Sequence, residues 1–409
     1  MKLPEADRIA VRQLDLRDPP SDISQLQGYE WLWVLARLHS TPVGHVVLPV
    51  RDGRVCGEEL REAIIHRLAS DIARLLIERW LAVGCPEDPD WFAVAISNTG
   101  KHHAHWPKVT VAICTRDRPQ HLERCLASLV ALDYPDVDLL VIDNAPATAP
   151  CADIVARFPT ARCVLEPRPG LDWARNRAIA EARGEIIAYT DDDVIVDRDW
   201  LRALTAVFLE HPTVMAVTGL VLPAELETPS QLQFEQNGGF SRGSRRCFYG
   251  VNVPAGEHAA TFNADVGKCG TGANMAYRKG VFERIGLFDP ALDVGTATNG
   301  GGDLEMFFRV MKGGFLLVYE PKALVWHHHR RDYSALRKQI VNNGVGYYSF
   351  LTRTGLHFPE ERAAVLRLGA WWLAHSSTRR MLNGAIRGRA AVRDLATGEF
   401  FGSWLGMCA

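Results

Sequence analysis

The distribution of hydrophobic and polar residues divides the chain into three parts. In residues 1–106, apolar runs at 29–38 and 44–50 have the length of strands, and a later stretch carries apolar residues at helical spacing. In residues 107–330, short apolar runs alternate with amphipathic stretches, which predicts an α/β fold with a mostly parallel sheet flanked by helices. Residues 331–409 have a helical pattern. We therefore predict an N-terminal α+β accessory module (1–106), an α/β domain (107–330) and a helical C-terminal region (331–409).

Polar residues follow the predicted strands of the middle part, at the points where these strands end. The runs at 109–114, 138–142 and 186–189 are followed by Thr115 and Arg116, by Asp143, and by Asp191, Asp192 and Asp193. In open α/β sheets, ligands bind outside the carboxyl ends of the strands. The side chains at these strand ends are therefore candidates for one shared site.

The three consecutive aspartates favour a bound cation. Neighbouring carboxylates repel one another, and each raises the pKa of the next. A Mg²⁺ or Mn²⁺ ion removes that conflict, because both metals take carboxylate oxygens and complete their shell with water and phosphate oxygens. The alternative is a solvated Asp-rich turn ahead of the following helix.

Four later stretches carry further candidate chemistry. Residues 223–270 are glycine-rich and predicted to be irregular, either as a functional loop or as a disordered insertion. The small residues of 270–277 allow close backbone contact with a ligand, and Asn274 lies among them. Asp303 follows three glycines at a helix start, where it can be a helix cap, a functional group or both. The histidines that begin at His327 follow a strand, where they are either ligands or a polar strand end.

Composition limits the classes of function. The formal net charge of −2 over 409 residues argues against a dedicated nucleic-acid-binding protein. The nine cysteines include no CxxC pair, which predicts reduced thiols in a cytoplasm-like compartment. Neither a signal peptide nor a membrane span is visible, so we expect a cytoplasmic protein. Its basic C-terminal part with the Trp371–Trp372 pair is typical of contact with the inner face of a membrane. A solvated helix that packs on the core through its aromatics is the alternative.

The order of these motifs resembles glycosyltransferase family 2, whose members are inverting enzymes with the nucleotide-sugar-binding GT-A fold. The matching segments are VTVAICTRDRP at 109–119, VIDN at 141–144, GLDWARNRAIAEARGEIIAYTDDDV at 170–194, GTGANMAYRK at 270–279, GGGDLEMFFRVMKGGF at 300–315 and YEPKALVWHHH at 319–329. Each segment is weak by itself, but six in this order are a specific signal over roughly residues 108–345.

The resemblance implies a role for each matching residue. Thr115, Arg116 and Asp143 correspond to contacts with the nucleoside base, with a slight preference for a pyrimidine. Asp191–Asp193 corresponds to the DXD motif, in which Asp191 and Asp193 are the metal ligands and Asp192 lies nearer the ribose or sugar. The remaining candidates are Arg175 and Asn274 near the nucleotide-sugar donor, Asp303 as general base, and His327 as a further metal ligand.

The chain departs from the family pattern at one position that matters. The family commonly has Glu-Asp ahead of the helix that begins near Asp303, whereas Gly302 stands before Asp303 here. A single carboxylate is then left for the base role, and Glu305 is a candidate for a second acceptor contact. No QxxRW-type signature of processive enzymes is present in the sequence, which favours transfer of one or a few sugars.

Two other functions remain as alternatives. A sugar-1-phosphate nucleotidyltransferase would need a glycine-rich phosphate loop after the first strand, whereas Thr115–Pro119 contains no glycine. A catalytically inactive carbohydrate-binding scaffold would not need Asp191, Asp193 and Asp303 together. The sequence leaves the donor sugar open, and also the acceptor, which can be a lipid-linked saccharide, a metabolite or a peptide.

Overall fold

The protein forms two compact units. The structure is a computed structural model that describes residues 3–4, 6–82, 103, 105–147, 151–260, 265–378 and 390–409. The first unit comprises residues up to 105 with 223–239 and 243–245, and the second comprises 106–222, 240–242 and 246–409. Residues 223–239 thus belong to the first unit, although they lie within the predicted range 107–330. Of the predicted basic tail, Arg379, Arg380, Arg387 and Arg389 lie outside the described residues.

In chain order, the described strands are β1 (Ile9–Asp15), β2 (Trp31–Leu38), β3 (Thr41–Pro49), β4 (Val109–Thr115), β5 (Val137–Asn144), β6 (Ala161–Glu166), β7 (Ile186–Asp191), β8 (Val194–Val196), β9 (Val214–Pro223), β10 (Cys247–Tyr249), β11 (Ala259–Ala260), β12 (Asn274–Arg278) and β13 (Leu316–His327). The described α-helices are α1 (Gly57–Ala82), α2 (Pro119–Leu129), α3 (Ala152–Val155), α4 (Leu171–Glu181), α5 (Trp200–Glu210), α6 (Pro229–Gln236), α7 (Phe282–Ile285), α8 (Gly302–Lys312), α9 (Tyr333–His357), α10 (Arg362–Trp371) and α11 (Ala390–Cys408).

The first unit is a small sheet covered by one long helix. Strand β1 runs parallel to β2, and β2 pairs antiparallel with β3. Helix α1 buries Leu60, Ile64 and Leu68, because residues four apart lie on one face of a helix. Gly44 of β3 allows this helix to come close, since a Cβ there would lie 2.6 Å from Leu68 Cδ2.

Helix α6 corrects the prediction of an irregular segment at 223–270. Its start is a capping box: the Thr228 hydroxyl accepts from Gln231 N at 3.4 Å, and Gln231 Oε1 accepts from Thr228 N at 3.1 Å. This reciprocal pair satisfies two backbone donors that a helix start otherwise leaves unpaired. The Thr-x-x-Gln spacing was therefore a local signal for a helix.

The second unit is built on a mixed sheet with the strand order β11-β10-β13-β9-β12-β7-β4-β5-β6, and β8 pairs with β13 beside this path. Strands β7, β4, β5 and β6 are mutually parallel and form the half that was predicted from the alternating pattern. Strand β12 runs antiparallel to both β7 and β9. The parallel strands alternate with α2, α3 and α4, because parallel neighbours must be joined by crossover connections.

Two apolar clusters flank this sheet. Val109, Val111 and Ile113 of β4 contribute to one cluster, whereas Ala112 contributes to the other. Alternate residues of a strand point to opposite faces, so a strand buried on both sides needs an unbroken apolar run. This packing holds the carboxyl ends of β4, β5 and β7 in fixed register at one edge.

The C-terminal helices belong to the same compact unit as the sheet. Gly402 and Gly406 of α11 lie against the backbone of Val341 and Val345 in α9, where an added Cβ would overlap the carbonyl oxygens. Glycines four apart thus allow these two helices to pack backbone to backbone. No helix among the described residues combines the length and the apolar character that a membrane crossing requires.

Candidate functional site

Strand register brings the predicted polar residues to one edge of the sheet. Thr115 is the ladder partner of Asp143, and Cys114 is the partner of Asp191. The ends of β5, β4 and β7 are therefore side by side, as the parallel topology predicts. Thr115 and Asp143 are buried, and the Asp191 side chain is half-buried.

Asp192 is held by two groups that follow β4. Its carboxylate accepts a hydrogen bond from Thr115 Oγ1 at 2.7 Å and from Arg118 Nη1 at 3.0 Å. The same Arg118 nitrogen lies 3.1 Å from Asp193 Oδ2. Arg118 was not among the predicted site residues, although its position three residues after a strand end was a signal for it. Arg116 in the same loop is exposed and pairs with Asp117 at 3.8 Å.

Asp193 lies among positive and imidazole groups. The pairing of Val194 with His327 joins β8 to β13, and His327 Nε2 lies 3.3 Å from Asp193 Oδ1. Arg330 lies 3.4 Å from Asp193 Oδ2 on the other side. Burial favours the neutral acid, but His327, Arg118 and Arg330 together hold the pKa of Asp193 well below its usual range.

Asp191 has the opposite electrostatic balance. Its carboxylate receives no hydrogen bond from the described residues, and burial, with the charge of Asp193 added, raises its pKa to about 6. A nearby cation would relieve this cost, and carboxylate and imidazole groups suit Mn²⁺ or Mg²⁺. Residues present at the strand tip therefore fit a hard divalent ion in donor type and charge.

The distances between potential metal-ligand atoms show which predicted ligands the structure brings together. Within the described residues, the three-residue group whose ligand atoms all lie within 4.8 Å of one another is Asp143, Cys151 and Cys163. Asp191, Asp193 and His327 do not meet this separation as a trio. The structure thus joins His327 to Asp193 but does not gather all three predicted ligands, since Arg118 and Arg330 also pair with Asp193.

Arg175 is buried and lies within electrostatic range of several carboxylates. Its guanidinium donates to Asp172 Oδ1 at 2.9 Å, and both side chains are buried. Although burial opposes the charged form, Asp172, Asp303 and Asp191 together raise the pKa of Arg175 above its ordinary value. The guanidinium is therefore within electrostatic range of both the strand tip and the predicted base.

The helix that carries Arg175 is capped by a distant residue. Asp293 accepts from the backbone amides of Asp172 at 3.0 Å and of Trp173 at 3.3 Å, at the start of α4. A carboxylate at a helix N-terminus satisfies amides that lack an intrahelical partner. Gly170 precedes the helix at φ +140, and a Cβ there would collide with the Asp293 carboxylate. Asp293 was missed because the cap lies far away in sequence.

Asp303 lies in the first turn of α8. Its Oδ2 accepts from Gly272 N at 2.8 Å, and its Oδ1 accepts from Leu304 N at 2.9 Å. The N-cap of this helix is Gly301, which excludes the interpretation of Asp303 as the N-cap residue. A Cβ on Gly272 would lie 2.5 Å from Arg175 Nη2 and 3.1 Å from Asp303 Oδ2. The absence of a side chain at Gly272 therefore allows both Arg175 and Asp303 to lie close to the backbone of this residue.

The structure explains the departure from the family pattern at position 302. A side chain there would collide with the carboxylate of Asp172. Glu305, the candidate for a second acceptor contact, is buried and paired with Arg309 at 2.6 Å. That prediction is wrong in this geometry, because the Glu305 carboxylate is already engaged inside the fold.

Asn274 has a structural role that was not predicted. Its amide nitrogen donates to the carbonyls of Leu220 and Ala323, and its oxygen accepts from Trp200 Nε1 at 2.9 Å. Both N–H groups are thus used inside the protein, so no amide donor remains for a sugar. Asn144 also acts within the fold, since it accepts from Gly170 N at 2.9 Å and holds the loop ahead of α4.

These features define the class of the second unit: an α/β domain with an acidic binding edge at the carboxyl ends of its parallel strands. Residues 110–286 match the family model described as glycosyl transferase family 2. This segment is a glycosyltransferase family 2 domain, as the order of motifs predicts.

Three known proteins illustrate the similarity. A pre-mycofactocin glycosyltransferase of Mycobacterium tuberculosis (strain CDC 1551 / Oshkosh) is 25% identical over 295 residues, which are 70% of this chain and 54% of the relative. The chain therefore spans about half the length of that curated relative. The mannosyltransferase PcManGT from Pyrobaculum calidifontis, solved with GDP-Man and Mn²⁺, has a TM-score of 0.48 and 17% identity, and covers 85% of this chain and 98% of its own. GalNAc-T7, solved with UDP, GalNAc and Mn²⁺, has a TM-score of 0.44 and 19% identity, and covers 64% of this chain and 52% of its own.

Proposed function

We propose that the protein is a metal-dependent, inverting glycosyltransferase that moves a sugar from a nucleoside-diphosphate sugar to an acceptor hydroxyl. One observation carries this proposal. The acidic tip of β7 and the carboxylate of Asp303 both lie within electrostatic range of the buried guanidinium of Arg175. Sugar transfer needs an acidic site that holds a metal ion near the leaving diphosphate. It also needs a carboxylate that can take the proton of the acceptor hydroxyl, and both must lie near the bond between the sugar and the diphosphate.

The donor would bind along the strand edge. Thr115, Arg116 and Asp143 are proposed to contact the nucleoside base, and Asp192 the ribose or sugar. Buried Thr115 already orients Asp192 through a 2.7 Å hydrogen bond. Asn274 is left out of this set, because its amide is committed to the carbonyls of Leu220 and Ala323.

Asp191, Asp193 and His327 are the proposed ligands of Mn²⁺ or Mg²⁺. When bound, such an ion neutralises the charge that develops on the diphosphate oxygens. The chain itself supplies a carboxylate whose ionised form is disfavoured, Asp191, and an imidazole 3.3 Å from Asp193. Arg118 and Arg330 pair with Asp193 in this structure, so both are expected to shift when the site is filled.

Asp303 is the proposed general base. The acceptor oxygen forms a bond to the anomeric carbon while the bond to the diphosphate breaks with its electron pair on the diphosphate oxygen. The hydroxyl proton passes to the Asp303 carboxylate, which the amides of Gly272 and Leu304 hold in position. Attack opposite to the leaving group inverts the anomeric centre.

A panel of nucleotide sugars with and without Mn²⁺ tests this proposal, with thermal stability and product formation as readouts. We expect one donor to raise the melting temperature only with metal, and nuclear magnetic resonance to show a product of inverted anomeric configuration. An Asp191→Asn/Asp193→Asn variant should lose the metal-dependent shift. Asp136→Asn is the matched control, because Asp136 is exposed at the other end of β5. Metal-dependent stabilisation that survives in the double variant would contradict the metal assignment.

For the C-terminal region we propose contact with the surface of an anionic bilayer. Helix α11 exposes Phe401, Trp404 and Leu405 on one face, at 62%, 54% and 62% of their full accessibility. Arg362 and Arg367 are exposed on α10 and supply complementary charge toward anionic lipids. Exposed aromatic residues on one face of a helix are typical of helices that lie in a membrane interface.

Vesicle cosedimentation tests this contact. The protein should bind vesicles of phosphatidylglycerol and phosphatidylcholine more strongly than vesicles of phosphatidylcholine alone. A Phe401→Ser/Trp404→Ser variant should lose binding, whereas Leu165→Ser, an exposed apolar residue on β6, should retain it. Equal binding of the double variant would contradict the proposal, and a concentration-dependent dimer that the same variant abolishes would assign the face to a second copy of the chain.

A further inference from the structure

Two cysteines and an aspartate form a compact group beside the acidic tip. Cys163 of β6 is the ladder partner of Val141 in β5, two residues before Asp143, so Cys163 and Asp143 share one face of the sheet. Cys151 precedes α3 and donates its backbone N–H to Asp143 Oδ2 at 2.9 Å. Cys151 and Asp143 are buried, and Cys163 is half-buried.

The three potential ligand atoms are close enough to surround one ion. They all lie within 4.8 Å of one another, and the two sulfur atoms are 3.1 Å apart. Two thiolates on a tetrahedral zinc ion, each with a bond of about 2.3 Å, stand about 3.8 Å apart. A disulfide requires about 2.05 Å. The observed separation is therefore nearer to that of a metal-bound pair than to that of a bonded pair.

We propose that Cys151, Cys163 and Asp143 bind a thiophilic divalent cation of the Zn²⁺ class. Two sulfur ligands and one carboxylate suit a borderline-soft ion with tetrahedral geometry, in which a water would be the fourth ligand. The proposed site for Mn²⁺ or Mg²⁺ at Asp191 and Asp193 offers oxygen and imidazole nitrogen instead. The two sites thus differ in the softness of their ligands, and each is expected to select a different class of ion.

Occupation of this site has a consequence for the donor, which rests on the proposed function. Asp143 is the residue that both the thiophilic ion and the nucleoside base would use. An ion bound by Cys151 and Cys163 draws the Asp143 carboxylate toward the sulfur atoms and away from the base. The bound ion is therefore an inhibitor of donor binding.

Cobalt titration tests the site without an activity assay. The parent protein is a Cys56→Ser/Cys408→Ser variant, which removes the two thiols that are exposed among the described residues. After reduction and removal of metal, one equivalent of Co²⁺ should give the near-ultraviolet charge-transfer absorption of thiolate-bound cobalt. Cys151→Ser and Cys163→Ser should each lose this absorption.

Two further variants are the matched controls for the cobalt titration. Cys247→Ser, which removes a buried thiol elsewhere, should retain the absorption, and so should Asp191→Asn/Asp193→Asn. The proposal is overturned if the reduced parent with free Cys151 and Cys163 binds no cobalt. It is also overturned if Cys163→Ser keeps the full absorption, or if a 151–163 disulfide resists reduction.

A second measurement separates this inference from the proposed function. Thermal shifts produced by UDP or GDP with Mn²⁺ are compared before and after addition of one equivalent of Zn²⁺. We expect Zn²⁺ to diminish the nucleotide-dependent shift of the parent and to leave that of Cys151→Ser/Cys163→Ser unchanged. If the parent binds cobalt through both thiols but Zn²⁺ leaves the shift intact, the metal site stands and the contact of Asp143 with the base is refuted.

Discussion

Arg175 donates a hydrogen bond to Asp172 at 2.9 Å, and both side chains of this ion pair are buried. The second oxygen of Asp172 receives no hydrogen bond from the described residues. Burying two charges costs free energy that mutual attraction repays only in part, so such a pair is weak evidence for stability. The charges of Asp191 and Asp303 also act on the Arg175 guanidinium, and we propose that the pair with Asp172 orients this guanidinium for the donor.

The first prediction concerns the pH dependence of stability at Asp172. Burial raises the pKa of this carboxyl group to about 7, with Arg175 opposing and Asp293 adding to the shift. The folded protein then holds this proton more tightly than the unfolded chain, whose ordinary value is 3.8. The contribution of Asp172 to stability is present below pH 4 and is lost as the pH rises to about 7.

Asp172→Asn removes this titration. Between pH 4 and 7 the free energy of unfolding of the wild type should fall relative to that of the variant by up to about 4 kcal/mol. Denaturant unfolding at several pH values measures the difference. Asp136→Asn, at an exposed site, should follow the wild-type curve. A constant difference between wild type and Asp172→Asn over this range would contradict the prediction.

The second prediction concerns the glycine between Arg175 and Asp303. In Gly272→Ala the new Cβ would stand 2.5 Å from Arg175 Nη2, which cannot swing aside easily because Asp172 holds it. We expect turnover to fall by roughly 10²-fold, the effect of displacing a catalytic group by about 1 Å. Gly280→Ala is the matched control, since a Cβ there meets nothing within 4 Å. Equal turnover of the two variants would show that this peptide does not position the site.

The third prediction concerns the packing of α11 on α9. Gly402→Ala forces a Cβ into the carbonyl of Val341, so the helices must separate, at a cost of about 1–3 kcal/mol. Gly355→Ala in α9 has only ordinary contacts, at 3.8 Å or more, and should stabilise the protein by about 0.5–1 kcal/mol through its helix propensity. Denaturant midpoints measure both changes. Destabilisation by Gly355→Ala similar to that by Gly402→Ala would contradict the packing argument.

Local pattern was sufficient to predict the parallel half of the sheet. Strand β7 and its neighbour β4 are continuous apolar runs that end in polar residues. These runs are visible in the sequence, and the topology rules need only their order along the chain. The strand tip with Asp191 and Asp193 followed from the same rules. For this reason the α/β class and the edge that carries the site were both predicted from the pattern.

The contacts that complete the site depend on residues far apart in sequence. Asp293 caps α4 across 121 positions, and Arg118 reaches Asp192 across 74. Asn274 is polar and lies in a glycine-rich segment, which favours a ligand contact, but the carbonyls of two strands and the indole of Trp200 use its amide instead. Nothing in the local pattern distinguishes a polar group that binds a ligand from one that binds the backbone.

The last prediction concerns Asp303 as general base. Asp303→Asn keeps the size of the side chain and one oxygen that can accept from Gly272 N, but it cannot take a proton. Turnover should fall by about 10²–10⁴-fold, the usual contribution of general-base assistance, while the donor-dependent thermal shift stays close to that of the wild type. Asp136→Asn should keep full turnover. A variant that loses donor binding together with turnover would assign Asp303 to donor contact. A variant that keeps turnover would remove Asp303 from the mechanism. Glu305, the other carboxylate in the described first turn of α8, is not a substitute base, because it is paired with Arg309.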